Sequence, residues 1–79
     1  MKKITIKFST PEDIANFINV CSKYSEDINV YDGHIMVDAK SLVGMFSLPI
    51  KKDLEVEIVS DDKDKIRIFV NEIRKFGDM

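Results

Sequence analysis

Apolar residues recur in this chain at two different periods, and the order in which those periods alternate is its strongest constraint on a fold. Ile4, Ile6 and Phe8 alternate with Lys3, Thr5 and Lys7, the period of a strand with one buried face. Ile14, Phe17, Ile18 and Cys21 then step by threes and fours, with Tyr24 continuing the spacing, which puts them along one side of a helix. Its start is marked by Thr10 as N-cap, Pro11 at the first helical position, and Glu12 and Asp13 near the positive end of the dipole. Asp32-Gly33 separates residues 27–32 from 34–38 and predicts a tight hairpin, because glycine accepts the positive φ such turns need. Ile28 and Val30 share one face there, and Ile35 and Val37 are expected to meet them. Leu54-Glu55-Val56-Glu57-Ile58 alternates again as a strand. Ile66, Phe69, Val70, Ile73 and Phe76 mark the inner stripe of a closing helix that Gly77 stops.

A short apolar helix is expected over residues 38–48, between the hairpin and the last strand. Pro49 ends it, since proline has no N–H to continue helical bonding. The element order is therefore β-α-β-β-α-β-α. Strands with one apolar face and helices with one apolar stripe bury each other most economically in two layers. The expected class is α+β: four antiparallel strands carrying three helices on one face. Strand order is left open by the pattern alone.

The chain's 79 residues predict a single domain spanning 1–79. A net charge of -2 with acids and bases intermixed lacks the basic face of a nucleic-acid-binding domain, so no nucleic-acid partner is expected. No apolar run approaches the roughly 18 residues of a membrane span, and Met1-Lys2-Lys3 leads into alternation rather than the apolar core of a signal peptide. One cysteine, Cys21, permits no internal disulfide and suits a reducing cytoplasm. With a single histidine beside it, a zinc site built from those ligands is not expected, nor any other metal or cofactor.

Within the central helix Leu42, Met45, Phe46 and Leu48 cannot share one narrow stripe at a period of 3.6. Some of that apolar surface is expected to face solvent beside Ser41, although Leu42 and Phe46 turned inward would equally complete a small core. Lys40-Ser41-Leu42-Val43-Gly44-Met45-Phe46-Ser47-Leu48 resembles the helix K-S-[IL]-[ML]-G-[LV]-[LM]-S-L of HPr, the small histidine-containing phosphocarrier of the bacterial phosphoenolpyruvate-dependent sugar phosphotransferase system. Cys21-Ser22-Lys23-Tyr24-Ser25-Glu26-Asp27-Ile28-Asn29-Val30 is similar to the family's A-S-K-[FY]-x-[SA]-[DE]-[IV]-x-[LV]. The resemblance covers essentially the whole chain and implies an open-faced β-sandwich with strand order 1-4-2-3.

It departs where the family carries its phosphoryl group, in G-[LI]-H-A-R-P at the start of the first long helix. Aligned without gaps through Ser22-Lys23-Tyr24, the histidine position holds Thr10 and the arginine position holds Glu12; Pro11 and Asp13 take the flanking places. Two carboxylates thus replace a cation beside a site meant for a dianion. At about 5 Å and an effective dielectric near 20, each unit-charge pair costs roughly 3 kcal/mol before solvent screening. About half a charge of helix dipole opposes this. Thr10 is expected to cap the helix rather than accept phosphate, and no catalytic residue is assigned. His34, the sole histidine, lies on the hairpin without a phosphate cradle.

What the resemblance retains is the second helix. Ser41 matches the serine that an ATP-dependent HPr kinase/phosphorylase modifies in many Gram-positive bacteria, whose phosphoserine form engages a regulator of carbon catabolite repression. Leu42, Val43 and Phe46 match the family's partner-docking patch. The leading expectation is a cytoplasmic, regulatory or protein-binding paralogue without histidine phosphotransfer. Its expected partners are phosphotransferase-system proteins, or the kinase and a carbon-control regulator, with Ser41 the regulatory phosphorylation site and the chain a monomer or weak homodimer. A carrier using Thr10 or His34, and a structural or oligomerising module, are the alternatives.

Overall fold

The computed structural model describes residues 3–77; Met1, Lys2, Asp78 and Met79 lie outside the described residues, and the ends of the single-domain expectation with them. Strands β1 (Lys3–Lys7), β2 (Ile28–Asp32), β3 (Ile35–Asp38) and β4 (Asp53–Ile58) form one antiparallel sheet in the order β1-β4-β2-β3. Helices α1 (Pro11–Cys21), α2 (Leu42–Met45) and α3 (Lys63–Ile73) complete the expected α+β fold, with a 3₁₀ turn over Arg74–Phe76 after α3. The strand order is the one the HPr resemblance implies.

Register explains why these residues choose one face. β4 sets Leu54 opposite Ile6, Val56 opposite both Ile4 and Val30, and Ile58 opposite Ile28. A single shift would turn that whole set to solvent. Phe8, Phe17 and Phe76 close the layer between sheet and helices as a trio of edge-on rings with centroids 5.2–6.1 Å apart, the geometry that aromatic quadrupoles favour. The opposite face of the sheet is mostly polar, Met36 excepted. There the Tyr31 hydroxyl donates to Glu57 Oε1 at 2.7 Å and the Lys3 ammonium lies 4.2 Å from the Tyr31 ring centroid.

Several local expectations need adjusting. α1 ends at Cys21, so Tyr24 belongs to the following turn; its ring still meets Phe69 edge-on at 5.2 Å. The hairpin pairs Asp32 with Ile35, making Gly33 and His34 its two central residues, with Gly33 at φ +60°. Ile35 does not join the core. It lies at the end of the sheet, exposed, while Val37 packs inward opposite Val30. Phe76 is buried from the 3₁₀ turn rather than from the helix proper. Gly77 then crosses β1 so closely that a Cβ there would stand 2.4 Å from the Thr5 carbonyl oxygen.

Candidate functional site

The start of α1, where the family resemblance puts phosphoryl transfer, is closed by the chain's own side chains. Thr10 is the N-cap, its Oγ1 accepting from Asp13 N at 3.2 Å. Asp13 answers through Oδ2, which accepts from Ser9 N at 2.8 Å and Thr10 N at 3.3 Å. This is a capping box with aspartate in the place usually held by glutamate or glutamine. Of the main-chain donors around this helix start, Ser9 N and Thr10 N are thus taken by a resident carboxylate and Asp13 N by the Thr10 hydroxyl, while Pro11 has no N–H to offer an anion. Thr10 and Glu12 are both exposed. Beside them lies a cleft of about 400 Å³ lined by Lys7, Ser9, Asp13, Asp53, Lys75, Phe76 and Gly77. Lys7 pairs with Asp53 at 3.5 Å, so two lysines face two aspartates and the cleft is charge-balanced rather than cationic.

The other titratable candidates stand apart. His34 is exposed in the hairpin turn. Cys21 is fully buried, and burial pushes its thiol up to about 12. That is a packing residue, because the thiolate is the reactive form.

α2 occupies only Leu42–Met45 of the expected 38–48, its ends fixed on both sides. Ser41 caps it, with Oγ accepting from Gly44 N at 3.2 Å, and Ser47 Oγ donates back to the Gly44 carbonyl at 2.5 Å. Gly44 allows the helix to sit on β3, since a Cβ there would come within 2.7 Å of Val37 Cγ1. Ala39, Met45 and Leu48 turn inward and are buried. Leu42, Val43 and Phe46 point away, with 62%, 87% and 47% of their surface exposed. The choice that the sequence left open is thus made: the helix keeps an apolar outer face beside the half-buried Ser41.

Long-range bonds hold that helix in place. Lys40, next to the capping serine, reaches back so that its ammonium donates to the carbonyls of Tyr24 at 2.5 Å and Glu26 at 2.8 Å. Glu26 also accepts from Lys65 at 2.8 Å, and Glu72 on α3 accepts from both Lys23 and the Tyr24 hydroxyl. The Lys23 ammonium, and then the Tyr24 hydroxyl, hold the Glu72 carboxyl below its ordinary range, and Lys65 does the same for Glu26. These roles of Lys40, Glu26 and Glu72 have no local signature. Asp13's role did have one, in the threonine-to-aspartate spacing of a capping box.

After α2, Pro49 and Ile50 lead to Lys51, the one non-glycine described residue with positive φ, at +61°. Its N–H donates to the Phe8 carbonyl at 2.6 Å, tying this loop to the end of β1 near the closed cap.

Comparison with known proteins agrees with this architecture. The family model described as the PTS HPr component phosphorylation site matches residues 13–76, beginning just after Thr10-Pro11-Glu12. Among solved structures, HPr-C-His from Thermoanaerobacter tengcongensis is 26% identical with a TM-score of 0.73, over 100% of this chain and 99% of that one. Phosphocarrier protein HPr from Bacillus anthracis is 18% identical with a TM-score of 0.69, over 89% and 93% of the two chains. The Mycoplasma histidine-containing phosphocarrier protein is 14% identical with a TM-score of 0.71, over 92% and 91%. No curated protein matches. With the family model spanning most of its length and the sheet order and helices in agreement, this chain belongs to the HPr family.

Proposed function

We propose that this HPr-family domain works by docking partner proteins through Leu42, Val43 and Phe46, without carrying phosphate at the start of α1, and that phosphorylation of Ser41 regulates the docking. The outward apolar face of α2 is the observation that carries this reading, because contiguous exposed apolar surface marks interaction sites. The occupied cap of α1 supports the loss of phosphotransfer. Asp13 already takes the Ser9 and Thr10 amides, and Glu12 stands in the arginine position. At Ser41 a phosphoryl group would add about -1.5 to -2 charges beside the three docking residues, at a helix start that favours them. The partners are proteins of the phosphotransferase system, or HPr kinase/phosphorylase and a carbon-control regulator, met in the cytoplasm by a single domain of residues 1–79.

Intact mass after two parallel incubations tests this. One uses phosphoenolpyruvate with the first enzyme of the phosphotransferase system; the other uses ATP with HPr kinase/phosphorylase. The expected adduct forms only with ATP and is absent from Ser41→Ala. A phosphoryl adduct from phosphoenolpyruvate, on Thr10 or His34, would overturn the reading.

A further inference from the structure

We infer that β3 is a self-pairing edge: two copies of the chain join antiparallel along it, about a two-fold axis through Met36, merging two four-stranded sheets into one. The inference rests on the sheet edge and is independent of the role proposed for α2.

The two edges of the sheet are treated differently. β1 carries Lys3 and Lys7, and the segment through Arg74–Phe76 and Gly77 packs against it. β3 has neither lysine nor proline between Ile35 and Asp38, and its pairing with β2 runs without a bulge. Lysine, proline and bulges are among the devices by which an edge strand avoids pairing; of the others β3 has its shortness, four residues, and the charge of Asp38. Yet β3 exposes large apolar side chains on both faces: Ile35 is 62% and Met36 58% exposed.

Main-chain direction makes the edge usable. A two-residue hairpin closes on a hydrogen-bonded pair, here Asp32 with Ile35, and such pairs alternate along an antiparallel ladder. Ile35 and Val37 therefore spend their N–H and C=O groups on β2, while those of Met36 point out of the sheet. At a two-fold axis through Met36 the two copies of that residue exchange both bonds.

The side chains fit the same register. Centring on Met36 sets Ile35 opposite Val37 of the second copy on the helix face. It also brings His34, the turn residue just before β3, alongside Asp38 of the second copy, twice over by symmetry. His34 and Asp38 are both exposed. Asp38 uses Oδ1 to accept from Lys40 N at 2.9 Å, and a carboxylate has a second oxygen to offer. Opposed apolar and donor–carboxylate pairs stabilise strand pairing, whereas like charges opposed weaken it. An axis through Asp38 would oppose two carboxylates. The Met36 register pairs Ile35 to Val37 of each copy and sets the turn residue His34 beside Asp38, with no such conflict, an isologous contact of the kind that closes a dimer.

Sedimentation equilibrium of the full chain from micromolar to millimolar concentration, read beside amide exchange, tests this. The expected mass rises toward that of a dimer, and the Met36 amide gains protection with concentration while those of Ile35 and Val37 do not change. Met36→Lys, at an exposed position, should weaken association by about tenfold or more, since it opposes two cations on the axis. His34→Glu should weaken it as well, and adding Asp38→Lys should restore it; Phe46→Asp should leave it unchanged. A monomer mass across the whole range would overturn the inference. So would a dimer that survives Met36→Lys and is lost in Phe46→Asp, which would place self-association on α2.

Discussion

Thr10 and Asp13 satisfy each other across the first turn of α1: Asp13 N donates to Thr10 Oγ1 at 3.2 Å, and Thr10 N donates to Asp13 Oδ2 at 3.3 Å. The same carboxylate takes Ser9 N at 2.8 Å, so an internal anion stands beside Thr10, the residue at the histidine position of the family resemblance. Thr10→His alone is therefore expected to remain unlabelled by phosphoenolpyruvate and the first phosphotransferase-system enzyme. Combining it with Glu12→Arg and Asp13→Ala removes both negative charges and is expected to raise labelling by about tenfold or more, the equivalent of about 1.4 kcal/mol of relieved repulsion. Quantitative intact-mass spectrometry reads the difference.

On α2, neighbouring residues should separate stability from binding. Met45 is fully buried, and Met45→Ala is expected to cost about 2–5 kcal/mol in urea unfolding. Phe46→Asp, next in sequence but outward-facing, is expected to change stability by much less while abolishing partner capture. Calorimetric titration with HPr kinase/phosphorylase measures the second effect.

Gly44→Ala tests how tightly α2 is seated. Alanine is the better helix former by about 1 kcal/mol, yet its Cβ would come within 2.7 Å of Val37 Cγ1. The clash is expected to win, with a net loss of about 1–2 kcal/mol. Val37→Ala in the same chain should remove the clash, so the double variant loses less than the two single losses added. A denaturant double-mutant cycle decides this.

Lys51 holds φ +61° while its N–H is bonded to the Phe8 carbonyl. A non-glycine residue held there costs about 1–2 kcal/mol. Lys51→Gly relieves that strain but frees the unfolded chain, and a net gain of about 0.5–1 kcal/mol is expected in urea unfolding.

Stability should fall in acid through the bonds that tie the turn after α1 to α3. Glu72 and Glu26 have carboxyls held below their ordinary value by Lys23 and Lys65. A depressed folded-state pKa contributes stability that is present above the unfolded value, about 4.3, and is lost as pH falls through the folded one. Glu72→Gln is expected to flatten the acid limb of a melting-temperature profile between about pH 5 and 2 without changing its shape near neutrality.

The sequence by itself determined the elements, their order and the caps that open α1 and α2, because the bonds that decide those caps span only a few residues. Thr10 caps α1 and Ser41 caps α2 through amides three positions on, and the two hydrophobic periods separate strands from helices. The family resemblance added the strand order, and it exposed the Thr10 and Glu12 departures. Tertiary structure alone decided which apolar residues stay outside. Leu42 and Phe46 fit an inward stripe as well as Met45 does until Gly44 is pressed onto Val37, which assigns Met45 to the core. Ile35 has the right parity for burial but lies at the end of the sheet, beyond the core. Lys40, Glu26 and Glu72 gain their roles only when residues far apart in the chain meet. Periodicity reports the side of an element on which a residue stands; whether another element covers that side depends on contacts between distant parts of the chain.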